Sequence, residues 1–262
     1  MAYFDRQEWY DEPHYYDIVY DVDSDLEADF LEAAHLRYQM SSGRDVLEPA
    51  CGSGRLVRRL ASRGFRVSGF DLNPSMLAYA RKSLEAHGVE AELEQKELTS
   101  FTTGRKRFDL AHCLVSSFRH VAEAAGAEEH LARVATALKP GGIYVLGLLL
   151  TDYNDRARTF ERFAVERGAT RVLCHHTTFP ADRRARTATM RARMTVIQDG
   201  ETRRFESSWT SRTYGPRQLL ALVEREPRFQ VVGCHNFDYD IESPSSIQDD
   251  RLDKILVLRK TR

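Results

Sequence analysis

The sequence predicts an α/β fold on a doubly wound, mostly parallel sheet, and three observations predict it. Between residues 45 and 73, the apolar runs 46–47 and 67–70 flank a segment with Leu56, Val57, Leu60 and Ala61 at helical spacing, which is one βαβ unit. The alternation of strand-like and helix-like segments continues to Leu150. From residue 160 to 213 the apolar period falls to two, so a small antiparallel sheet follows the fifth strand.

A chain of 262 residues suffices for one large α/β domain with an insertion, or for two small domains. No apolar run approaches the roughly 20 residues of a membrane span, and residues 1–32 are acidic and aromatic where a secretory signal would be basic and then apolar. The expected location is the cytoplasm. Cys51, Cys113, Cys174 and Cys234 are widely spaced with no CxxC pair, which speaks against zinc and against a disulfide framework. Local charge is uneven: residues 1–32 hold eleven acids against Arg6 alone, and residues 152–214 hold thirteen arginines against eight acids. That basic stretch lacks the aromatic interleaving of a single-strand-binding surface, leaving a solvated face or a contact for an anionic substrate or partner subunit.

The elements follow in order. Tyr3, Phe4, Trp9, Tyr10, Tyr15, Tyr16 and Tyr20 make the opening segment too apolar for a free tail, so it should fold over the ligand mouth or staple the outside of the domain. Residues 25–39 repeat apolar positions as a helix does. The first strand ends at Glu48 and runs into Ala50-Cys51-Gly52-Ser53-Gly54. Glycines there allow positive φ and a close ligand, and the next helix presents unpaired N–H groups. The second strand ends at Asp71, 19 positions after Gly52, where an acid can bond ribose hydroxyls. A P-loop would need Lys after Gly54, which Arg55 replaces, and a dinucleotide fingerprint would want a small residue where Val57 stands.

Pro74 opens a helix that closes near His87-Gly88, and residues 89–95 alternate as a strand. Residues 108–114 form a buried strand whose carboxyl end continues as Val115-Ser116-Ser117-Phe118-Arg119-His120-Val121, at the edge where chemistry belongs. A helix over 127–138 leads through Leu138-Lys139-Pro140-Gly141-Gly142 into strand 143–150. In the insertion, Phe163, Val165, Val172, Cys174, Met190, Ala192, Met194, Val196, Phe205, Ser207 and Trp209 share one face, and Asp199-Gly200 is a hairpin turn. Pro216 starts a last helix, and residues 229–239 and 252–260 supply the final strands. The expected units are 1–40 (lid and helix), 41–151 (ligand-binding core), 152–214 (inserted sheet) and 215–262 (rest of the core).

Glu48-Pro49-Ala50-Cys51-Gly52-Ser53-Gly54 followed by GFDLNPSML resembles the first two motifs of class I S-adenosylmethionine-dependent methyltransferases. Tyr16-Asp17-Ile18-Val19-Tyr20 resembles the opening YD-x-x-Y of small-molecule N-methyltransferases. Residues 116–121 resemble the SSF-x-H-L element of the glycine and sugar N-methyltransferase branch, and LKPGG matches a further family motif. The resemblance implies a Rossmann-like seven-stranded sheet with its last strand antiparallel, and S-adenosylmethionine as cofactor with S-adenosylhomocysteine as product and no metal. By the same resemblance Gly52, Gly54 and Ala50 would hold the amino-acid end, Asp71 the ribose, and Glu97 with Leu72 and Leu98 the adenine. Glu48 would orient the loop, with Cys51, Met76 and Leu114 completing the cofactor shell. Tyr20 and His120 would face the acceptor, His120 as the better candidate to take its proton. The branch that methylates glycine carries an arginine after the fifth strand, and residues 148–152 have none, which counts against glycine itself. The implied activity is methyl transfer to nitrogen or oxygen of a small molecule. A methyltransferase acting on protein or nucleic acid lacks its NPPY-type tetrad here, and a cofactor-binding non-catalytic subunit is the alternative from another class. A homodimer through the inserted sheet is the further expectation.

Overall fold

The computed structural model describes residues 5, 6 and 9–261. Tyr3 and Phe4 of the aromatic arm, and the side chain of Trp9, lie outside them.

Alternation along β2 (Asp45–Pro49) sends Val46 and Leu47 to opposite faces, each into its own apolar layer. Beside it run β3 (Arg66–Asp71), β4 (Glu92–Gln95), β5 (Phe108–Cys113) and β6 (Leu138–Leu149), all parallel. With β11 (Phe229–His235) and β12 (Asp253–Lys260) they make a seven-stranded sheet of order β11-β12-β6-β5-β2-β3-β4. The last strand, β12, is antiparallel to β6 and β11. All six residues of β5 are buried, because helices cover both faces. One layer sets α5 (Ala124–Ala137) and α6 (Pro216–Glu224) against Phe108, Tyr144 and Leu146. The other sets α2 (Ser24–Tyr38), α3 (Arg55–Ser62) and α4 (Pro74–Ala86) against Leu110, Val145 and Val257.

The LKPGG turn is carried inside β6 as a register shift opposite Phe108 and Leu110, with Gly141 at φ +78°. Nearby, buried Asp109 accepts from the N–H groups of Gly43 and Asp45 and from Lys139 Nζ, pinning the start of β2 to β5 and β6. A Cβ on Gly43 would lie 2.2 Å from Asp109 Oδ2. Gly43→Ala is therefore expected to destabilise the fold by roughly 3 kcal/mol, read as a drop in the urea midpoint; a loss of under about 1 kcal/mol would refute the pinning role.

The inserted sheet follows the fifth strand of the main sheet: β7 (Thr159–Arg167), β8 (Thr170–Thr178), β9 (Thr187–Gln198) and β10 (Glu201–Arg212), antiparallel throughout. Asp199 and Gly200 both have positive φ, the geometry of a type I′ hairpin. The two residues of β1 (Asp5–Arg6) add in parallel to the edge of β10. Val172, Cys174, Ala192, Met194, Val196 and Phe205 are buried together, against Tyr15, Ile18 and Val19 of α1 (Pro13–Tyr20). Phe163 lies on the edge strand β7 and is exposed.

Residues 13–20 of the aromatic arm are thus a helix, with Pro13 in its first turn, held between the inserted sheet and α4. The arm's acids find the arginines that local charge left open. Asp21 pairs with Arg58, Arg59 and Arg167, Asp17 with Arg167, and Glu12 with Arg203.

Candidate active site

At the carboxyl edge of the parallel strands lies a cavity of about 940 Å³. The loop after β2 forms one wall. Ala50, Gly52 and Gly54 all take positive φ, at 56°, 54° and 75°. The loop is stitched to the end of β3 by Cys51 N–H donating to Phe70 O at 2.9 Å and Gly52 N–H donating to Asp71 Oδ2 at 2.8 Å. Asp71 Oδ1 accepts from Asn73 N–H at 2.8 Å, which fixes the carboxylate across the cavity floor. Burial raises the Asp71 pKa, while the three backbone donors at Asn73, Gly52 and Leu72 oppose the rise. Leu72, 61% exposed, offers an apolar face beside it, and Glu97 and Leu98 close that end.

Of the residues singled out in the sequence, Tyr20, Ala50, Gly52, Asp71, Leu72, Glu97, Leu98 and His120 line this cavity. Glu48, Cys51 and Leu114 line an adjoining space of about 30 Å³. Gly54 and Met76 reach neither. A Cβ on Gly54 would lie 2.8 Å from Ala80 Cβ, so this glycine serves the packing of α3 on α4, and the Met76 side chain is buried in the first turn of α4. Cys51 is turned toward β3, where Gly69 makes room for its Sγ.

Glu48 is buried with Oε2 unpartnered, and desolvation pushes its pKa up to about 8 against the opposing charge of Arg55. His112 Nε2 lies 3.8 Å away, too far for a hydrogen bond, and burial drops its pKa to about 3, so the ring is neutral. Because the folded pKa of Glu48 is raised, its contribution to stability is full below its ordinary 4.5 and is lost as pH rises through about 8. The cofactor-free protein is expected to lose roughly 5 kcal/mol of stability from this group across that window, since each tenfold fall in proton concentration between the two pKa values removes about 1.4 kcal/mol. Urea midpoints at several pH values check it: Glu48→Gln should flatten the decline, and an equal decline in both proteins would refute the assignment.

The opposite wall comes from other elements. His120 leaves β5 through a short 3-10 turn, and its Nε2 lies 2.9 Å from the Tyr10 hydroxyl. Its ring stacks at 6.4 Å on Trp209 of β10 and meets Tyr10 edge-on at 5.7 Å. The ring lines the cavity, and part of the residue is exposed. Desolvation by the surrounding walls, then the charge of Arg119, lower its pKa, so the imidazole is neutral at pH 7. Val115 and Ser116 hold positive φ at 52° and 64°; for a β-branched residue that is strain, and Ser116 secures it by accepting from Leu149 N–H at its Oγ. Tyr16 and Tyr20 pack ring against ring, 4.5 Å between centroids, beside the glycine loop, and desolvation raises both pKa values, so both hydroxyls keep their protons.

Sequence reasoning passed over Tyr10, Tyr16, Arg55, Arg119 and Trp209 as site residues. The aromatic run marked the first two and the SSF-x-H-L resemblance brackets Arg119, while nothing local marked Trp209.

The chain is similar in sequence and in fold to known proteins. Residues 46–142 match the family described as a methyltransferase domain. Over 114 residues the chain is 34% identical to the dTDP-3-amino-3,6-dideoxy-alpha-D-glucopyranose N,N-dimethyltransferase of Streptomyces fradiae, covering 44% of this chain and 43% of that protein. The chain spans about half the length of the curated relatives it matches. Among solved structures, an S-adenosylmethionine-dependent methyltransferase from Clostridium acetobutylicum superposes with a TM-score of 0.76 at 18% identity, covering 95% of this chain and 97% of that one. A sugar N-methyltransferase from Streptoalloteichus sp superposes at 0.75 with 20% identity, covering 100% and 97%. Residues 46–142 thus match a methyltransferase-domain family, and the chain as a whole has the Rossmann-like fold of the solved S-adenosylmethionine-dependent methyltransferases it superposes on.

Proposed function

We propose that this protein is an S-adenosylmethionine-dependent methyltransferase acting on a nitrogen or oxygen of a small molecule, with an amine as the favoured acceptor. One observation carries the reading: a single cavity joins the glycine loop and Asp71 on one side to a neutral His120 between aromatic rings on the other. The residues suit such a cofactor. Gly52 allows close approach to the loop backbone, Asp71 offers acceptor lone pairs to ribose hydroxyls, and exposed Leu72 and half-buried Leu98 offer apolar faces to adenine. When bound, S-adenosylmethionine supplies a methyl group activated by its sulfonium charge.

The chain's own residues then align and deprotonate. Tyr16 and Tyr20, packed ring against ring in the cavity wall, would offer a bound cation their aromatic rings and hydroxyl oxygens. Tyr10 and Trp209 enclose the acceptor and exclude water, and His120 receives the proton that a nucleophilic nitrogen or oxygen gives up. The activities for which the Streptomyces fradiae and Streptoalloteichus relatives are named, both N-methylations of sugars, support nitrogen as the target atom. The test is incubation with S-adenosylmethionine and a panel of amines and hydroxy compounds, with S-adenosylhomocysteine measured. Product formed with an amine is the expected result; failure of S-adenosylmethionine to bind in calorimetry would end the proposal.

A further inference from the structure

Arg119 is 4% exposed, yet no carboxylate pairs with it among the described residues. Its Nε donates to Arg212 O at 2.9 Å, and Nη1 lies 3.5 Å from Leu149 O. A guanidinium has five N–H donors, so three are left with no partner among the described residues, on a side chain that lines the cavity next to His120. Of the four acids that line the same cavity, Asp71 is bonded to Gly52 and Asn73, Glu97 to Ser100 and Asp11 to Asn73, and Glu123 forms no ion pair with Arg119. Residues 148–152, at the sheet edge that Arg119 abuts, include no base. Desolvation lowers the Arg119 pKa, the mark of a buried cation lacking a counter-charge. A cation in this state is costly unless something compensates it, and the space open to its remaining donors is the cavity.

We propose that Arg119 is a specificity-determining residue that binds an anionic oxygen group, a carboxylate or a phosphate, on the methyl acceptor. The planar fork can take two oxygens at once, and its neighbour in the chain, His120, then faces the atom to be methylated. The carbonyl of Arg212 and that of Leu149 hold the fork in place from β10 and β6, so the inserted sheet shapes acceptor choice through a backbone atom. This inference rests on the reading of the cavity as a methyl-transfer site.

The test compares wild type, Arg119→Met and Arg119→Lys on matched amines: phenethylamine against phenylalanine, and ethanolamine against O-phosphoethanolamine. In wild type, the anionic member of at least one pair should be favoured by about 10- to 100-fold in kcat/KM, the scale of a charge-assisted hydrogen-bond pair. Arg119→Met should erase that preference by raising KM, with the Kd for S-adenosylmethionine unchanged, and Arg119→Lys should keep part of it. Calorimetric titration of the S-adenosylhomocysteine complex with sodium acetate and with inorganic phosphate separates carboxylate from phosphate, and it decides the matter if none of these amines is turned over. Should Arg119→Met lose its cooperative urea transition, Arg119→Gln replaces it. No preference in either pair would overturn the inference, as would the absence of both acetate and phosphate binding, or a parallel loss of cofactor affinity in the variant. Failure of S-adenosylmethionine itself to bind wild type would instead strike the methyltransferase reading.

Discussion

Replacing His120 by alanine is expected to cut turnover by about 10²- to 10⁴-fold while leaving S-adenosylmethionine affinity unchanged. The ring lines the wall of the cavity opposite the glycine loop, and its bond to Tyr10 links the aromatic arm to the 3-10 turn after β5. Because its pKa is lowered from 6.5, the acid limb of the kcat/KM profile should fall below that value in wild type and disappear in the variant. His120→Gln separates two roles, since glutamine can still bond Tyr10 but cannot take a proton. If His120→Gln restored full turnover, His120 would be a positioning residue and not a base.

The second large effect falls on Asp17. Its carboxylate is fully buried and accepts from Ser53 Oγ at 2.9 Å, Tyr79 OH at 3.1 Å and Arg167 Nη1 at 2.7 Å. These donors belong to the glycine loop, α4 and β7, so one side chain ties the arm, the core and the inserted sheet. Asp17→Ala leaves the Ser53 and Tyr79 hydroxyls without this acceptor and Arg167 with Asp21 and the Asp17 carbonyl alone. A loss of about 3 kcal/mol is expected, the low end for breaking a buried ion pair because Arg167 is partly exposed. Urea denaturation reads the loss, and S-adenosylmethionine affinity should fall as Ser53 loses its anchor. Asp17→Asn keeps an acceptor and should lose about half as much; a variant as stable as wild type would show that these bonds form no tie.

What was legible in the sequence follows from how local each signal is. The period of Leu56, Val57 and Leu60, the glycines at 52 and 54, and Asp71 at a strand end are properties of short stretches, and the βαβ unit stands where they placed it. The hairpin at Asp199-Gly200 is equally local. The alternation at Phe163 marked a strand, but alternation does not say whether anything covers a face, and Phe163 is exposed. At Gly54 positive φ suits a ligand and a helix contact alike, and the closeness of Ala80 was not legible in the sequence.

The sequence by itself determined the order of strands and helices and the loop where a sulfonium cofactor would sit, because backbone propensity and hydrophobic period act over a few residues. Only the tertiary structure decided what stands opposite that loop. Tyr10 meets His120 across 110 positions, Arg119 meets the Arg212 carbonyl across 93, and Asp17 meets Arg167 across 150. Such pairings are chosen by the packing of α1 and the inserted sheet onto the core, where burial removes water as the competing partner and leaves each polar group to find a protein one.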